Sequence, residues 1–105
     1  MKKTKQALVL NDRDNVATVL CDTATDDILA LKGSGGTVRV NEKVPYGHKA
    51  ALRKIDKDEA VVKYGHRIGI ATTDIAPGDW VHLHNMTSAF DVTFKKRIDS
   101  CTVKR

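Results

Sequence analysis

Ile55-Asp56-Lys57-Asp58-Glu59-Ala60-Val61 and Ile75-Ala76-Pro77-Gly78-Asp79-Trp80-Val81 are written in one pattern, I-x-x-(D/G)-(E/D)-x-V, offset by twenty residues. Each reads as a tight turn that runs straight into a strand. Gly78 takes a positive φ at little cost, and Asp is among the few other residues that tolerate one. Pro77 pre-sets the φ that the second position of a type II turn needs. The isoleucine tucks beneath the turn, and the valine opens the buried face of the strand. Two such corners predict a compact β fold with internal pseudo-symmetry.

The flanking sequence has the same character. Short segments rich in β-branched residues at 6–10, 16–21, 28–31, 37–40, 60–63, 68–72, 80–84 and 90–94 are separated by turn formers such as Asn11-Asp12 and Gly33-Ser34-Gly35-Gly36. No segment of ten residues carries a clean 3.6-residue period, and the best helical candidate, 50–55, is at most two turns. The expectation is an all-β small domain of short strands, a barrel or a folded-over sheet. The Gly33–Gly36 stretch lacks the Lys-Ser/Thr of a phosphate-binding loop, so it is read as a loop tip.

At 105 residues the chain is one domain. A basic tail is expected over 1–6, the folded domain over 7–86, and an extension with one strand and a basic tail over 87–105. The net charge of +5 comes from the ends: Lys2, Lys3, Lys5, Lys95, Lys96, Arg97, Lys104 and Arg105 are eight of the 18 basic residues. The ten that remain face 13 acidic ones, so the body is slightly acidic. No aromatic residues are interleaved with the basic ends as stacking platforms, and no nucleic-acid-binding motif is present, so no nucleic-acid partner is expected. Neither is a membrane, because no apolar run approaches the roughly 20 residues of a span. The short basic start is not a signal peptide, and the protein is expected to be cytoplasmic. Cys21 and Cys101 stand apart and are expected to be reduced thiols.

Three blocks carry chemistry: Val44-Pro45-Tyr46-Gly47-His48-Lys49-Ala50-Ala51-Leu52, then Val61-Val62-Lys63-Tyr64-Gly65-His66-Arg67-Ile68-Gly69, then Gly78-Asp79-Trp80-Val81-His82-Leu83-His84-Asn85. If residues 80–84 are a strand, His82 and His84 share one face, and Val81 and Leu83 point into the core. Two imidazoles are too few for a closed metal site, and His48, after a glycine in a turn, is the candidate third ligand. The plainer reading makes them surface histidines. Lys49, Lys63, Tyr64 and Asn85 supply the cationic and hydrogen-bonding groups that an anionic, hydroxylated substrate needs. Neighbours on a strand face opposite ways, so one member of each pair, His48-Lys49 and Lys63-Tyr64, is expected at a common site. His66 and Arg67 are placed at an exposed turn.

The order P-x-G-H-K-x-A-L-x-x-I, V-x-K-Y-G-x-x-I-G-x-A-T-x-x-I and G-x-W-V-H-x-H-N, with Asp14-Asn15-Val16-Ala17 near the start, resembles the SAF domain of altronate and galactarate dehydratases and the small subunit of sulfolactate sulfo-lyase. The likeness covers about residues 7 to 86; residues 22–43 and the tail after Met86 stand outside it. It implies a β-clip fold and the elimination of water from a sugar acid: a base removes the proton α to the carboxylate, a divalent metal (iron or manganese) stabilises the resulting enediolate, and the β-hydroxyl leaves with acid help. The large domain of the long enzymes is not in this chain, and no acidic ligand constellation is visible. The implied arrangement is a composite site, to which this chain brings His48, His82 and His84 and a larger dehydratase subunit brings the rest. Two rival readings are a non-catalytic SAF-type binding module and a self-sufficient metal enzyme.

Overall fold

The computed structural model describes residues 3–88, with Ser88 by its backbone alone; Cys101, the predicted strand at 90–94 and the basic C-terminal tail lie outside them. Nine strands follow one another: β1 Thr4–Leu8, β2 Val16–Val19, β3 Ile28–Lys32, β4 Thr37–Arg39, β5 Lys49–Ala51, β6 Ala60–Lys63, β7 His66–Ala71, β8 Trp80–Val81 and β9 Met86–Ser88. They form a six-stranded sheet in the order β4-β3-β1-β2-β5-β8 and a three-stranded sheet in the order β6-β7-β9. The pairing of β1 with β3 is parallel, and the other strand pairs are antiparallel. There is no helix among the described residues, as the all-β expectation requires.

The two predicted corners are present, and the same turn recurs at two further places among the described residues. Turns at residues 24–27, 45–48, 56–59 and 76–79 are each closed by a hydrogen bond from the fourth N–H to the first C=O, at 2.9–3.0 Å. The third residue of each has positive φ: Asp26 75°, Gly47 83°, Asp58 74° and Gly78 87°. Each turn is also pinned to a neighbouring chain in the same way, its third N–H donating to one residue's carbonyl and its fourth C=O accepting from that residue's N–H. The partners are Val40, Val19, Ala71 and Ala51 respectively. Ile55 and Ile75, at the two corners legible in the sequence, are buried and exchange both backbone hydrogen bonds, at 2.9 and 2.8 Å.

Two hydrophobic clusters lie on either side of β2 and β5. Ala17, Val19 and Ala50 belong to one with Ala7, Val9, Leu29, Val40 and Val44, while Val16 and Ala51 belong to the other with Ile55, Val61, Ala71, Ile75, Val81 and Met86. Successive residues of a strand face opposite ways, so a strand between two cores is buried on both faces. This corrects the helical expectation for 50–55. Ala50 and Ala51 suit a helix by propensity, but here their small side chains let two cores approach one strand.

Asp14 and Asn15 join the two halves. The buried Asn15 amide donates to the Ala60 carbonyl at 2.8 Å and accepts from the Val62 N–H at 2.7 Å. The Asp14 carboxylate accepts from the N–H groups of Leu10, Asn11 and Gly65. Buried polar groups persist where they are fully paired, and these two rivet the β1–β2 connection to the β6–β7 hairpin.

Candidate functional site

The third block does not continue as a strand. Strand β8 stops at Val81, and His82–Asn85 form a turn, closed by the Asn85 and Met86 N–H groups donating to the His82 carbonyl at 3.0 Å. The alternation expected across 80–84 therefore ends: Val81 is fully buried, but Leu83 is 67% exposed instead of entering the core. Asn85 makes this turn. Its buried side chain accepts from the His82 N–H at 2.9 Å and donates to the Trp80 carbonyl at 2.8 Å. An amide so engaged positions the histidine beside it rather than reaching outward to a ligand.

His48 comes to the same place because its corner differs from the other three. At those, a carboxylate at the fourth position accepts from the first N–H: Ala24 to Asp27, Asp56 to Glu59, and Ala76 to Asp79. Pro45 has no N–H to satisfy. The fourth side chain is released from capping, and it is His48.

Trp80 is the hub. Its ring lies 5.6 Å from His82 at an interplanar angle of 10°, 5.5 Å from His48 edge-on and 5.4 Å from His84; His48 and His82 are 4.8 Å apart by ring centroids. His48, His82 and His84 thus each approach one indole. The Trp80 indole N–H donates to His48 Nδ1 at 3.3 Å. A neutral imidazole that accepts at Nδ1 carries its proton on Nε2, so His48 keeps an N–H there to donate. His82 is the complement. Its Nδ1 is buried without a hydrogen-bond partner among the described residues, and burial, followed by the nearby His48, Lys49 and His84, holds its pKa below the ordinary value. The charged form of His82 is therefore disfavoured.

As metal ligands these groups make a partial set. No group of three or more His, Cys, Asp or Glu among the described residues is arranged to hold an ion, and the lone pair of His48 Nδ1 is already taken by Trp80.

The second block supplies cations. The β6–β7 hairpin turns on Tyr64 and Gly65, whose φ values of 54° and 79° are those of a type I′ turn. The left-handed Tyr64 abandons strand alternation. Its ring lies under Lys63, with Nζ 5.0 Å from the centroid, and its hydroxyl donates to Thr18 Oγ1 at 3.2 Å. Lys63 and Tyr64 are thus neighbours in space, although strand alternation would have parted them. Thr18 pairs directly with Lys49, and Lys49 with Val81 next to His82. Lys49 is half-buried, and burial, then the charge of Lys63, lowers its pKa. His66 and Arg67 are exposed as expected, but they begin β7. Thr18 and the hub role of Trp80 went unseen in the sequence; a hydroxyl opposite Lys49 becomes visible only once the β2–β5 register is known.

The chain matches the profile of the altronate/galactarate dehydratase SAF domain over residues 5–89. It is 35% identical over 81 residues to an altronate dehydratase of Bacillus subtilis and 41% identical over 80 residues to that of Escherichia coli, in each case 16% of the relative's length. Those stretches cover 77% and 76% of this chain. It is also 43% identical over 47 residues, 45% of this chain, to the (2R)-sulfolactate sulfo-lyase subunit alpha of Chromohalobacter salexigens, half of that subunit's length.

Proposed function

This chain belongs to the altronate/galactarate dehydratase SAF domain family, and from that premise we propose that it is the small component of a cytoplasmic lyase that removes water from a sugar acid or a related hydroxy acid, assembled with a larger subunit. The observation that carries the proposal is the gathering of His48, His82 and His84 on Trp80. Dehydration of a carboxylate needs a proton acceptor at the α carbon and a proton donor at the departing hydroxyl. A half-buried His82 whose charged form is disfavoured suits the first role or a ligand's role, and the Nε2–H of a neutral His48 would hydrogen-bond the departing hydroxyl while the larger subunit supplies its proton. A divalent metal, iron or manganese, would draw on His82 and His84 together with groups of the larger subunit, and would polarise the substrate's oxygens. His48 joins that set only by giving up its bond from Trp80.

That the relatives called altronate dehydratase continue far beyond the matched stretch, and that one relative is called a subunit alpha, supports a partnered chain. The test is to purify the chain alone and with a co-expressed large dehydratase-type subunit, each with iron or manganese, and to assay altronate, galactarate and sulfolactate. Turnover only by the pair is expected, with His82→Ala lowering it about 10²–10⁴-fold. Robust turnover by the chain alone would overturn the composite site. A pair in which His82→Ala keeps full turnover would make the chain a non-catalytic module.

A further inference from the structure

Lys49 and Lys63 lie close enough for one charge to be felt by the other, and neither has a carboxylate partner among the described residues. The ion pairs among the described residues are Lys5–Asp27, Arg39–Asp26 and Lys54–Asp56, none of which involves this pair. Both lysines are half-buried. Two ammonium groups drawn out of water beside each other cost free energy that a nearby carboxylate would relieve. The surroundings are organised as well. Lys63 is seated on the Tyr64 ring, Tyr64 is fixed by its hydroxyl bond to Thr18, and Thr18 lies opposite Lys49 in the β2–β5 register. Holding Tyr64 there requires a left-handed residue with a bulky side chain, a conformation that is costly outside glycine.

We propose that Lys49 and Lys63, with the hydroxyl groups of Tyr64 and Thr18, form a subsite for the carboxylate of a hydroxylated acid. Two point charges take the acid group, and the hydroxyl pair offers hydrogen bonds to an adjacent substrate hydroxyl. Lys49 pairs with Val81, the residue before His82, and its charge is felt at that imidazole, so the subsite lies in the neighbourhood of His82. The proposal rests on the lyase reading and narrows it to substrates whose acid group is read by this chain and not by its partner. Carboxylates and sulfonates share this chemistry, and the test separates them.

The experiment is an NMR titration of the full chain, with labelled lysine side chains, by tartrate, a dihydroxy dicarboxylate. Methanesulfonate, chloride and the neutral tetrol threitol are parallel probes. Saturable shifts at Lys49 and Lys63 with tartrate, weakened at least about tenfold in Lys49→Met and in Lys63→Met, are expected. Lys→Met keeps the aliphatic stem and removes a poorly solvated charge, so both variants should fold, as amide spectra will verify. Tyr64→Phe should weaken binding by a smaller factor while keeping the Lys63 seat. Unmoved lysine signals, equal responses to tartrate and chloride, or wild-type affinity in both Met variants would overturn the subsite. A stronger response to methanesulfonate would overturn the carboxylate assignment. Tartrate binding by a chain that forms no active pair would instead sink the lyase reading and leave the subsite standing.

Discussion

Asn85→Ala separates two roles for one side chain. A residue that only contacts substrate can be cut back with little effect on the fold, within about 0.5 kcal/mol. The structure gives Asn85 different work. Its amide closes the His82–Asn85 turn through bonds of 2.9 Å from the His82 N–H and 2.8 Å to the Trp80 carbonyl. Each is worth about 1 kcal/mol net, and each backbone group left without a partner costs about 1–3 kcal/mol more if water cannot reach it. Strand β8 is an edge strand, so water reaches part of this backbone, and the sum is about 2–4 kcal/mol. Against a total stability of about 5–15 kcal/mol this is a large share. For a domain of this size it lowers Tm by about 10–25 °C. Thermal unfolding followed by the fluorescence of Trp80, the single tryptophan, reads the turn directly. A Tm within about 3 °C of wild type, with activity lost in the assembled enzyme, would refute the positioning role and return Asn85 to substrate contact.

Three further outcomes are expected. His82 has its pKa pulled below 6.5 by burial first, so its charged form is disfavoured in the fold. The unfolded chain then binds more protons between the lowered pKa and 6.5, and stability rises with pH through that window; His82→Gln should flatten this slope in urea titrations, and an unchanged slope would contradict it. Gly33→Ala should be severely destabilising, by roughly 3 kcal/mol or more, because its Cβ would lie 1.8 Å from the Val9 carbonyl oxygen at a φ of 105°. Gly47→Ala, with open space around it, should cost only about 1–2 kcal/mol, and urea unfolding of the two variants side by side tests the contrast. Finally, nitrogen-15 spectra should find neutral His48 in the Nε2–H tautomer, and Trp80→Phe should mix the tautomers; a wild-type mixture would remove the indole bond from consideration.

Much of the fold was legible because turn chemistry is local. Gly78 after Pro77, and Asp58 in the matching place, announce positive φ at fixed offsets from a strand. The other two copies were hidden for a physical reason. Asp26 and Gly47 make the same turn, but the residues that precede those two turns are Thr23 and Val44, not isoleucines. The strand at Lys49–Ala51 was missed because two-sided burial looks like helix propensity when the residues are alanines. At the site, His48, His82 and His84 could be picked by residue type and spacing. What joins them could not: Trp80 lies in the strand before the turn, Tyr64 occupies a hairpin position that usually signals itself with Asn-Gly, and Thr18 is distant in sequence.

The repeat also explains why the site sits where it does. Four corners of one design need a carboxylate at the fourth position wherever the first N–H is free, and Asp27, Glu59 and Asp79 meet that need. Asp27 has its pKa lowered, chiefly by the Ala24 N–H, with Lys3 and Lys5 adding to it. The contribution of such a cap is present above the ordinary carboxylate pKa and is lost as pH falls through the lowered one. At the second corner proline removes the N–H, and with it the reason for an acid. The turn keeps its shape through Gly47 and its two hydrogen bonds to Val19, while the fourth side chain becomes free to be histidine. The fourth corner then brings Trp80, one residue past its own cap, across β5 to meet His48 through the Ala50–Trp80 pairing. One corner without a cap, next to another that ends in an aromatic residue, suffices to place an imidazole that accepts from an indole beside one whose charged form is disfavoured, on a scaffold whose other corners are capped.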